Sequence, residues 1–339
     1  YFYILILTSL VLFGFYLCLI GGYGSDEDTL PMIYVFEARL EDGRFVSSRF
    51  TSYPIPEIGI GFLSHFFGSW AANSVTFIFH LIGLVLIFLS FEKTFKSENL
   101  YFFLILCLSS PILFFENLEP IDYSWAFLFF SLGLYFFSKN FLELAILAFA
   151  FSVGCRLNFI IFVLIAIFFF KNTNHLTYYR RTLIGLCTFI TSGLFYLSVW
   201  FDNGFGLGWI DAGRPIEQGI FGLLARFSYK TWMSFGIIQL FIIIFCFFKI
   251  FKSKAIFESY KLLIILTIFN LFLFLYIPAE LSYLQPAIIF VYLVLCKFID
   301  KKIISTLILL NFLSWGMNLE LLKINYKDNS ICTPKQAIS

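Results

Sequence analysis

Long apolar runs recur along the whole of this 339-residue chain and constrain its fold more than any other feature. Eleven runs fall at roughly 1–20, 71–91, 100–115, 121–137, 141–155, 157–170, 182–200, 233–249, 262–277, 284–297 and 303–318. A helix needs about 20 apolar residues to cross the hydrocarbon, and shorter runs require tilt or local bilayer thinning. Because lipid satisfies no backbone hydrogen bond, such runs fold as helices. The sequence therefore predicts an all-α, polytopic transmembrane bundle of about eleven helices.

Charged residues are scarce and lie between the runs. The chain is 60% hydrophobic and 13% charged, whereas a soluble domain carries about 25% charged residues. We therefore predict one transmembrane domain over 1–339, with a first outer loop at 21–70, a second at 201–232 and a short tail at 319–339. Residues 1–20 lack a basic start and a small-residue cleavage site, so they are interpreted as a retained first helix.

The distribution of charge predicts the orientation of the chain. With the residue-1 end in the cytoplasm, 13 of the 23 Lys and Arg residues fall in short inner loops, among them Lys93, Arg180 and Lys252. Acidic residues show the opposite bias, with 16 of 21 on the outer side. Cytoplasmic loops of membrane proteins carry an excess of Lys and Arg. The pattern therefore places both large loops outside.

The first outer loop contains the helical stretch TLPMIYVFEARLEDG. Pro31 suits a first helical turn, and Gly43 is a stop signal. Three apolar side chains recur at helical spacing, namely Ile33, Phe36 and Leu40. We predict an interfacial helix over 29–43 with those side chains on one face, lying along the membrane surface. Pro54 and Pro56 indicate the start of a second short helix.

The sequence lacks the patterns that are typical of several classes of function. No basic block suggests a nucleic-acid partner. The glycine-rich stretch DNGFGLGWIDAGRPIEQG has no preceding strand and no following Lys-Ser/Thr, so a nucleotide site is disfavoured. His65, His80 and His175 are far apart, and the seven cysteines show no metal-binding spacing. We predict neither a metal nor another cofactor.

Short motifs follow one another in a definite order, namely DEDT at Asp26–Thr29, Gly43, SRFTSYPIPE at Ser48–Glu57, GCRLN around Arg156 and PAELSYLQP around Glu280 and Tyr283. In this order, and behind a first apolar helix, they resemble the integral-membrane glycosyltransferases of the GT-C superfamily. The similarity is to the branch of protein O-mannosyltransferases and aminoarabinose transferases, and it spans roughly residues 1–290. The bulky C-terminal soluble domain of that branch has no counterpart in 319–339, which leaves acceptor handling by such a domain open.

The resemblance implies an inverting transferase that moves a sugar from a polyprenyl-phosphate donor. The implied acceptor is a cell-envelope glycan, lipid or protein, and the implied place is the outer, periplasmic face of a bacterial inner membrane. Asp26 and Asp28 together would suit a divalent cation. The branch is generally held to work without one, so the resemblance implies no metal.

Glycosyl transfer requires a base for the acceptor hydroxyl and cations for the departing phosphate. Asp28 directly precedes the predicted interfacial helix, whose N-terminal dipole favours the ionised, proton-accepting form. Asp28 is therefore the candidate base, and Asp26 is the alternative base. A purely structural role for Asp28 as a helix cap is equally compatible with the sequence.

Five residues are candidates for donor binding. Arg49 and Arg156 suit phosphate because a guanidinium binds phosphate oxygens bidentately, although Arg49 also suits a lipid headgroup. Arg156 is the stronger candidate for a functional role, because an arginine next to apolar helix costs free energy and seldom lacks a function. Glu57, Glu280 and Tyr283 follow from the resemblance. Pairing of Glu57 with an arginine and an ordinary loop role for Glu280 are the alternatives.

Glu116, Glu119 and Asp122 form a further acidic stretch, which we interpret as a solvated outer turn. The rival function is a transporter or flippase of lipid-linked saccharide. It predicts charges along the middle of the bundle, whereas the acids here cluster at one interface. No inverted repeat of the kind seen in transporters is visible.

Overall fold

The computed structural model describes residues 2–24, 29–43, 48, 52–91, 98–170, 173, 176–202, 219–252, 254–276 and 281–317. Within these ranges the regular structure is helical, which confirms the all-α prediction. The α-helices are α1 Phe2–Ile20, α2 Thr29–Asp42, α3 Pro54–Phe67, α4 Ser69–Ser90, α5 Glu98–Ser109, α6 Pro111–Phe115, α7 Asp122–Ser138, α8 Leu142–Cys155, α9 Phe159–Phe169, α10 Tyr178–Phe195, α11 Leu197–Asp202, α12 Ile220–Phe235, α13 Ile237–Lys252, α14 Lys254–Tyr276, α15 Gln285–Phe298 and α16 Lys301–Met317. Short 3₁₀ turns at Glu116–Leu118 and Leu281–Leu284 precede α7 and α15.

Each of the eleven predicted apolar runs forms a helix in the structure. The additional helices have three origins. Helices α2 and α3 are the two that the sequence predicted in the first outer loop, whereas α6 and α11 arise where a run breaks. Helix α12 lies largely in the predicted second outer loop and ends at Phe235, directly before Gly236, whose φ of 71° suits glycine.

The helices differ in whether their length and apolar composition would let each one span a bilayer by itself. Among the described residues, Phe2–Ile20 and Ser69–Ser90 have the length and apolar composition of a membrane span. Two bent pairs, α5 with α6 and α12 with α13, raise the number to four if each pair is one span. Other apolar helices are shorter and would need tilt or neighbouring helices to complete a crossing.

One continuous apolar core joins the described helices from α1 to α16. Helix α7 packs against both α4 and α8, and α10 also packs on α8. Helices α15 and α16 pack on α5, while α14 joins α15 to α9. The ends of α3, α7 and α8 consequently lie within one packed group, which is where the candidate site forms.

Glycines facing phenylalanine rings bring neighbouring helices close together. A Cβ added to Gly14 of α1 would overlap the Phe77 ring of α4. The same relation links Gly83 of α4 to the ring of Phe127 on α7. Small residues at helix contacts drive packing in membranes, where water supplies no hydrophobic force. Some of the chain's many phenylalanines therefore serve to pack neighbouring helices against glycines.

The break between α5 and α6 turns the chain by 87° and places the acidic stretch 116–122. Pro111 cannot donate a backbone hydrogen bond, so carbonyls of the preceding turn need other donors. Asn311 Nδ2 donates to the Leu106 carbonyl at 3.2 Å, and Trp315 Nε1 donates to the Ser109 carbonyl at 2.6 Å. Helix α16 therefore stabilises the bend by satisfying buried backbone groups.

The helix predicted over 29–43 is present as α2, and it packs on α3. A Cβ at Gly61 of α3 would overlap Phe36, so the two helices approach closely there. Burial differs along this helix, since Ile33 is 2% exposed and Leu40 is 56% exposed. Helix α3 also contacts the last turn of α2, where Arg39 bonds to Glu57. The placement of α2 along the membrane surface stays a prediction.

Candidate active site

The centre of the site is a buried ion pair between Arg156 and Asp122. Arg156 Nη1 donates to Asp122 Oδ1 at 3.0 Å, and both residues are 2% exposed. Asp122 begins α7, and Arg156 directly follows the last residue of α8. The carboxylate therefore meets the positive end of one helix dipole and the guanidinium the negative end of another. Antiparallel packing of these two helices brings both charges to the same end of the bundle.

Three tyrosine rings surround the Arg156 guanidinium. The guanidinium carbon lies 3.4 Å from the ring centroid of Tyr123, 4.9 Å from that of Tyr283 and 5.2 Å from that of Tyr53. The Tyr123 and Tyr283 rings also meet edge to face at 5.5 Å. An arginine within about 6 Å of an aromatic face is attracted to it. The cation is thus held by three segments that are far apart in the chain, at Tyr53, at Asp122 and Tyr123, and at Tyr283.

Packing around the end of α8 fixes the backbone that carries Arg156. A Cβ at Gly154 would lie 2.6 Å from Ile55 Cδ1, so glycine lets α3 approach closely. The Tyr196 hydroxyl donates to the Val153 carbonyl at 2.7 Å, and Ser152 Oγ donates to the Ala126 carbonyl at 2.8 Å. Helices α3, α7 and α10 therefore all position this turn.

Asp122 is the residue that sequence reasoning missed. It was interpreted as solvated, but its carboxylate is buried against Arg156. The sequence did contain a signal for this pairing. An arginine in an apolar environment requires a charged partner, and Asp122 is an acid at the start of an apolar run. Nothing local selected Asp122 over the other outer acids, because the two residues are 34 positions apart.

Glu57 is fully buried in the first turn of α3 and binds groups of the protein itself. Its Oε2 accepts from Arg39 Nη2 at 2.8 Å and from Ser52 Oγ at 2.8 Å. Its Oε1 accepts from the Ser48 amide at 3.0 Å, the Ser48 hydroxyl at 2.6 Å and the Tyr53 amide at 3.1 Å. The structural alternative considered for Glu57, pairing with an arginine, is therefore present.

The start of the first outer loop is fixed beside the acidic stretch that carries Asp122. Asn73 Nδ2 donates to the Gly22 carbonyl at 2.6 Å and contacts the Cys18 carbonyl at 3.4 Å, which holds the end of α1 to α4. Gly24 has a φ of 80°, and the Glu119 side chain packs directly against it. The segment that precedes Asp26 and Asp28 thus leaves the bundle next to residues 116–122.

Gly24→Ala is expected to destabilise the protein more than Gly22→Ala does. Both glycines have positive φ, 80° and 62°, so alanine costs about 1–2 kcal/mol at either position. Only the Gly24 Cβ would also overlap Glu119, since Gly22 faces open space. Overpacking of this kind adds about 1–3 kcal/mol. Thermal unfolding in detergent measures both variants, and equal melting temperatures would contradict the contact between Gly24 and Glu119.

Four predicted site residues, Asp26, Asp28, Arg49 and Glu280, lie outside the described residues. The structure brings together the other three: Arg156 and Tyr283 are in contact, and Glu57 binds the amide of Tyr53, whose ring faces Arg156. Among the described residues, no group of three or more His, Cys, Asp or Glu is arranged to hold a metal ion.

Comparison with known proteins shows a similarity of fold. No family model and no curated protein matches this sequence. The structure is similar to the crystal structure of ArnT from Cupriavidus metallidurans bound to undecaprenyl phosphate, with a TM-score of 0.64 and 14% sequence identity. The similarity covers 95% of this chain and 63% of that one, so the chain spans less than two thirds of the length of ArnT. The fold is thus that of a polytopic membrane protein.

Proposed function

We propose that this chain is an inverting glycosyltransferase that uses a polyprenyl-phosphate sugar. The acceptor would be a cell-envelope glycan, lipid or protein on the periplasmic face of a bacterial inner membrane. The observation that carries the proposal is the buried Arg156, surrounded by tyrosines at the meeting point of the motif segments. The shared fold with ArnT, which was crystallised with undecaprenyl phosphate, supports the choice of lipid.

In the proposed reaction a carboxylate, Asp28 or alternatively Asp26, takes the proton of the acceptor hydroxyl. The acceptor oxygen attacks the anomeric carbon as the bond to the phosphate oxygen breaks, which inverts that carbon. Polyprenyl phosphate leaves with the bonding electron pair. Arg49 and Arg156 are proposed to stabilise the charge of the phosphate, and Glu280 and Tyr283 to orient the donor.

Arg156 suits an electrostatic role in this reaction. Arginine remains protonated, carries five N–H donors and spends one of them on Asp122 at 3.0 Å. Burial lowers the local dielectric, so its charge acts more strongly on a nearby phosphate than it would in water.

The distribution of buried charge favours a transferase over a flippase. The buried charged residues of the described chain are Glu57, Asp122, Arg156 and Arg181. Each lies in a first helical turn or directly after a helix. A flippase path for a polar head would place charged groups within the spanning helices, away from their ends. Charges at helix ends suit chemistry at the interface instead.

Release of polyprenyl phosphate in step with sugar transfer is the expected result for protein reconstituted in liposomes. A panel of undecaprenyl-phosphate sugars is supplied with candidate acceptors, and both products are quantified by chromatography. Equal amounts support the proposal because each bond broken frees one carrier. Turnover of a soluble nucleotide sugar without lipid carrier would contradict the donor assignment. Movement of an intact lipid-linked saccharide, with no bond cleaved, would instead identify a flippase.

A further inference from the structure

The Glu57 carboxylate has little capacity left for a substrate. A carboxylate offers about four lone-pair positions, and five protein hydrogen bonds at 2.6–3.1 Å already occupy its two oxygens. Glu57 is also 0% exposed. A donor phosphate is negatively charged, so direct contact with this carboxylate would be repulsive. Glu57 therefore acts through the protein groups that it binds.

The groups bound by Glu57 lie at the two ends of one short segment. Ser48 binds it through its amide and hydroxyl, and Ser52 and Tyr53 bind it from the other end. Arg49, a candidate phosphate contact, belongs to this segment. Arg39 of α2 adds a charged hydrogen bond at 2.8 Å. One carboxylate at the start of α3 thus binds Arg39 of α2 together with Ser48, Ser52 and Tyr53.

Backbone conformation shows that this attachment is needed. Ser52 has a φ of 50°, which is uncommon for a residue other than glycine. Such a conformation persists only where surrounding contacts hold it. The Ser52 hydroxyl bonds to Glu57 Oε2 at 2.8 Å, and the next residue donates its amide to Oε1 at 3.1 Å. That residue is Tyr53, whose ring lies 5.2 Å from the Arg156 guanidinium carbon.

We propose that Glu57 is a positioning residue whose carboxylate fixes Ser48, Ser52 and Tyr53, and thereby holds the Tyr53 ring against Arg156. Donor affinity then depends on Glu57 even though Glu57 does not touch the donor. The inference rests on the proposed function for its donor half. It replaces the direct donor-binding role that the sequence motif suggested for Glu57 with attachment of Tyr53 to the rest of the site.

Glu57→Gln tests this role because an amide cannot satisfy five donors. In either orientation its NH₂ group faces other donors, either Arg39 or the amides of Ser48 and Tyr53. Hydrogen exchange at the backbone amides of Ser48 and Tyr53 should accelerate. We expect kcat/KM for the lipid donor to fall by about 10²-fold, the order of loss caused by a displacement of about 1 Å. Glu37→Gln is the matched control, since Glu37 lies on α2 and pairs with the partly exposed His65 at 3.6 Å.

A double variant, Glu57→Gln with Arg39→Gln, separates positioning from a direct role for the charge. The new amide oxygen at position 57 is then free to face the Ser48 and Tyr53 amides, while its NH₂ group faces an acceptor at position 39. Amide protection and most of the lost kcat/KM should return together, although no carboxylate is present. Restored protection without restored activity would overturn the proposal, as would a Glu57→Gln variant with normal kinetics.

Two readouts keep this inference separable from the proposed function. Binding of undecaprenyl phosphate and amide exchange are both measured without sugar transfer. If wild-type protein binds the lipid but transfers no sugar, the proposed function fails, while lipid binding and exchange in Glu57→Gln still test the positioning role. If it binds no lipid phosphate, the donor half of the inference fails with the proposed function. Unchanged exchange in Glu57→Gln would refute the attachment itself.

Discussion

Replacing Asp28 by asparagine is expected to lower the rate of sugar transfer by about 10²–10⁴-fold, the usual contribution of a general base. Asparagine cannot take the acceptor proton, but it keeps the size of aspartate and caps helices equally well. Thr29, the next residue, is buried at the start of α2, and the helix should persist. Initial rates of transfer in liposomes measure the effect, and thermal unfolding checks the fold.

Neighbouring acids supply the controls for Asp28. Glu27→Gln removes one carboxylate from the same stretch and should leave the rate close to that of the wild type. If Asp28→Asn is active and Asp26→Asn is inactive, Asp26 is the base. If both retain normal rates, neither aspartate is the base, and the mechanism needs another proton acceptor.

Arg156→Ala is expected to be the most damaging single change within the described residues. It would leave Asp122 as a buried charge without its ion-pair partner, and breaking such a pair costs about 3–5 kcal/mol. The three tyrosine rings would also lose the cation between them. Undecaprenyl phosphate binding should weaken, with only partial recovery in Arg156→Lys because ammonium lacks the planar fork. Calorimetric unfolding measures the loss of stability, and titration with undecaprenyl phosphate measures the loss of affinity.

An apolar replacement of the whole pair separates stability from function. Well-packed hydrophobic residues often match or exceed the stability of a buried ion pair. The double variant Asp122→Leu with Arg156→Met should therefore recover much of the unfolding free energy lost in Arg156→Ala, while lipid binding stays weak. Recovery of both would show that Arg156 is only structural.

Arg181 provides a matched control for loss of a buried arginine. It is 7% exposed and donates to the backbone carbonyls of Ile167, Phe170 and Thr173 at the end of α9. Arg181→Met should lower stability, because those carbonyls lose their donors, but should not change the affinity for undecaprenyl phosphate. Equal loss of affinity in both arginine variants would indicate a general effect of destabilisation.

Local signals in the sequence were sufficient for most of the helices. Pro31 and Gly43 correctly predicted the extent of α2, and Pro54 predicted the start of α3. These signals work because a helix is made of hydrogen bonds between residues four apart, and its ends depend on the residues at those ends. The break at Pro111 and the helix α12 were not predicted. Proline is itself a local breaker of helices, so only the stabilisation of the bend by α16 lay beyond local signals.

Tertiary structure decided how the site is assembled. The sequence singled out Arg156, Tyr283 and Glu57, but it gave no partner for the arginine and Asp122 was interpreted as solvated. The pairing follows from the antiparallel contact of α7 with α8, and Tyr283 joins through the packing of α15. Apolar runs determine that helices form, because helix formation is a local property. Which polar side chains share a buried space depends on which helices pack together, and residue spacing does not encode that.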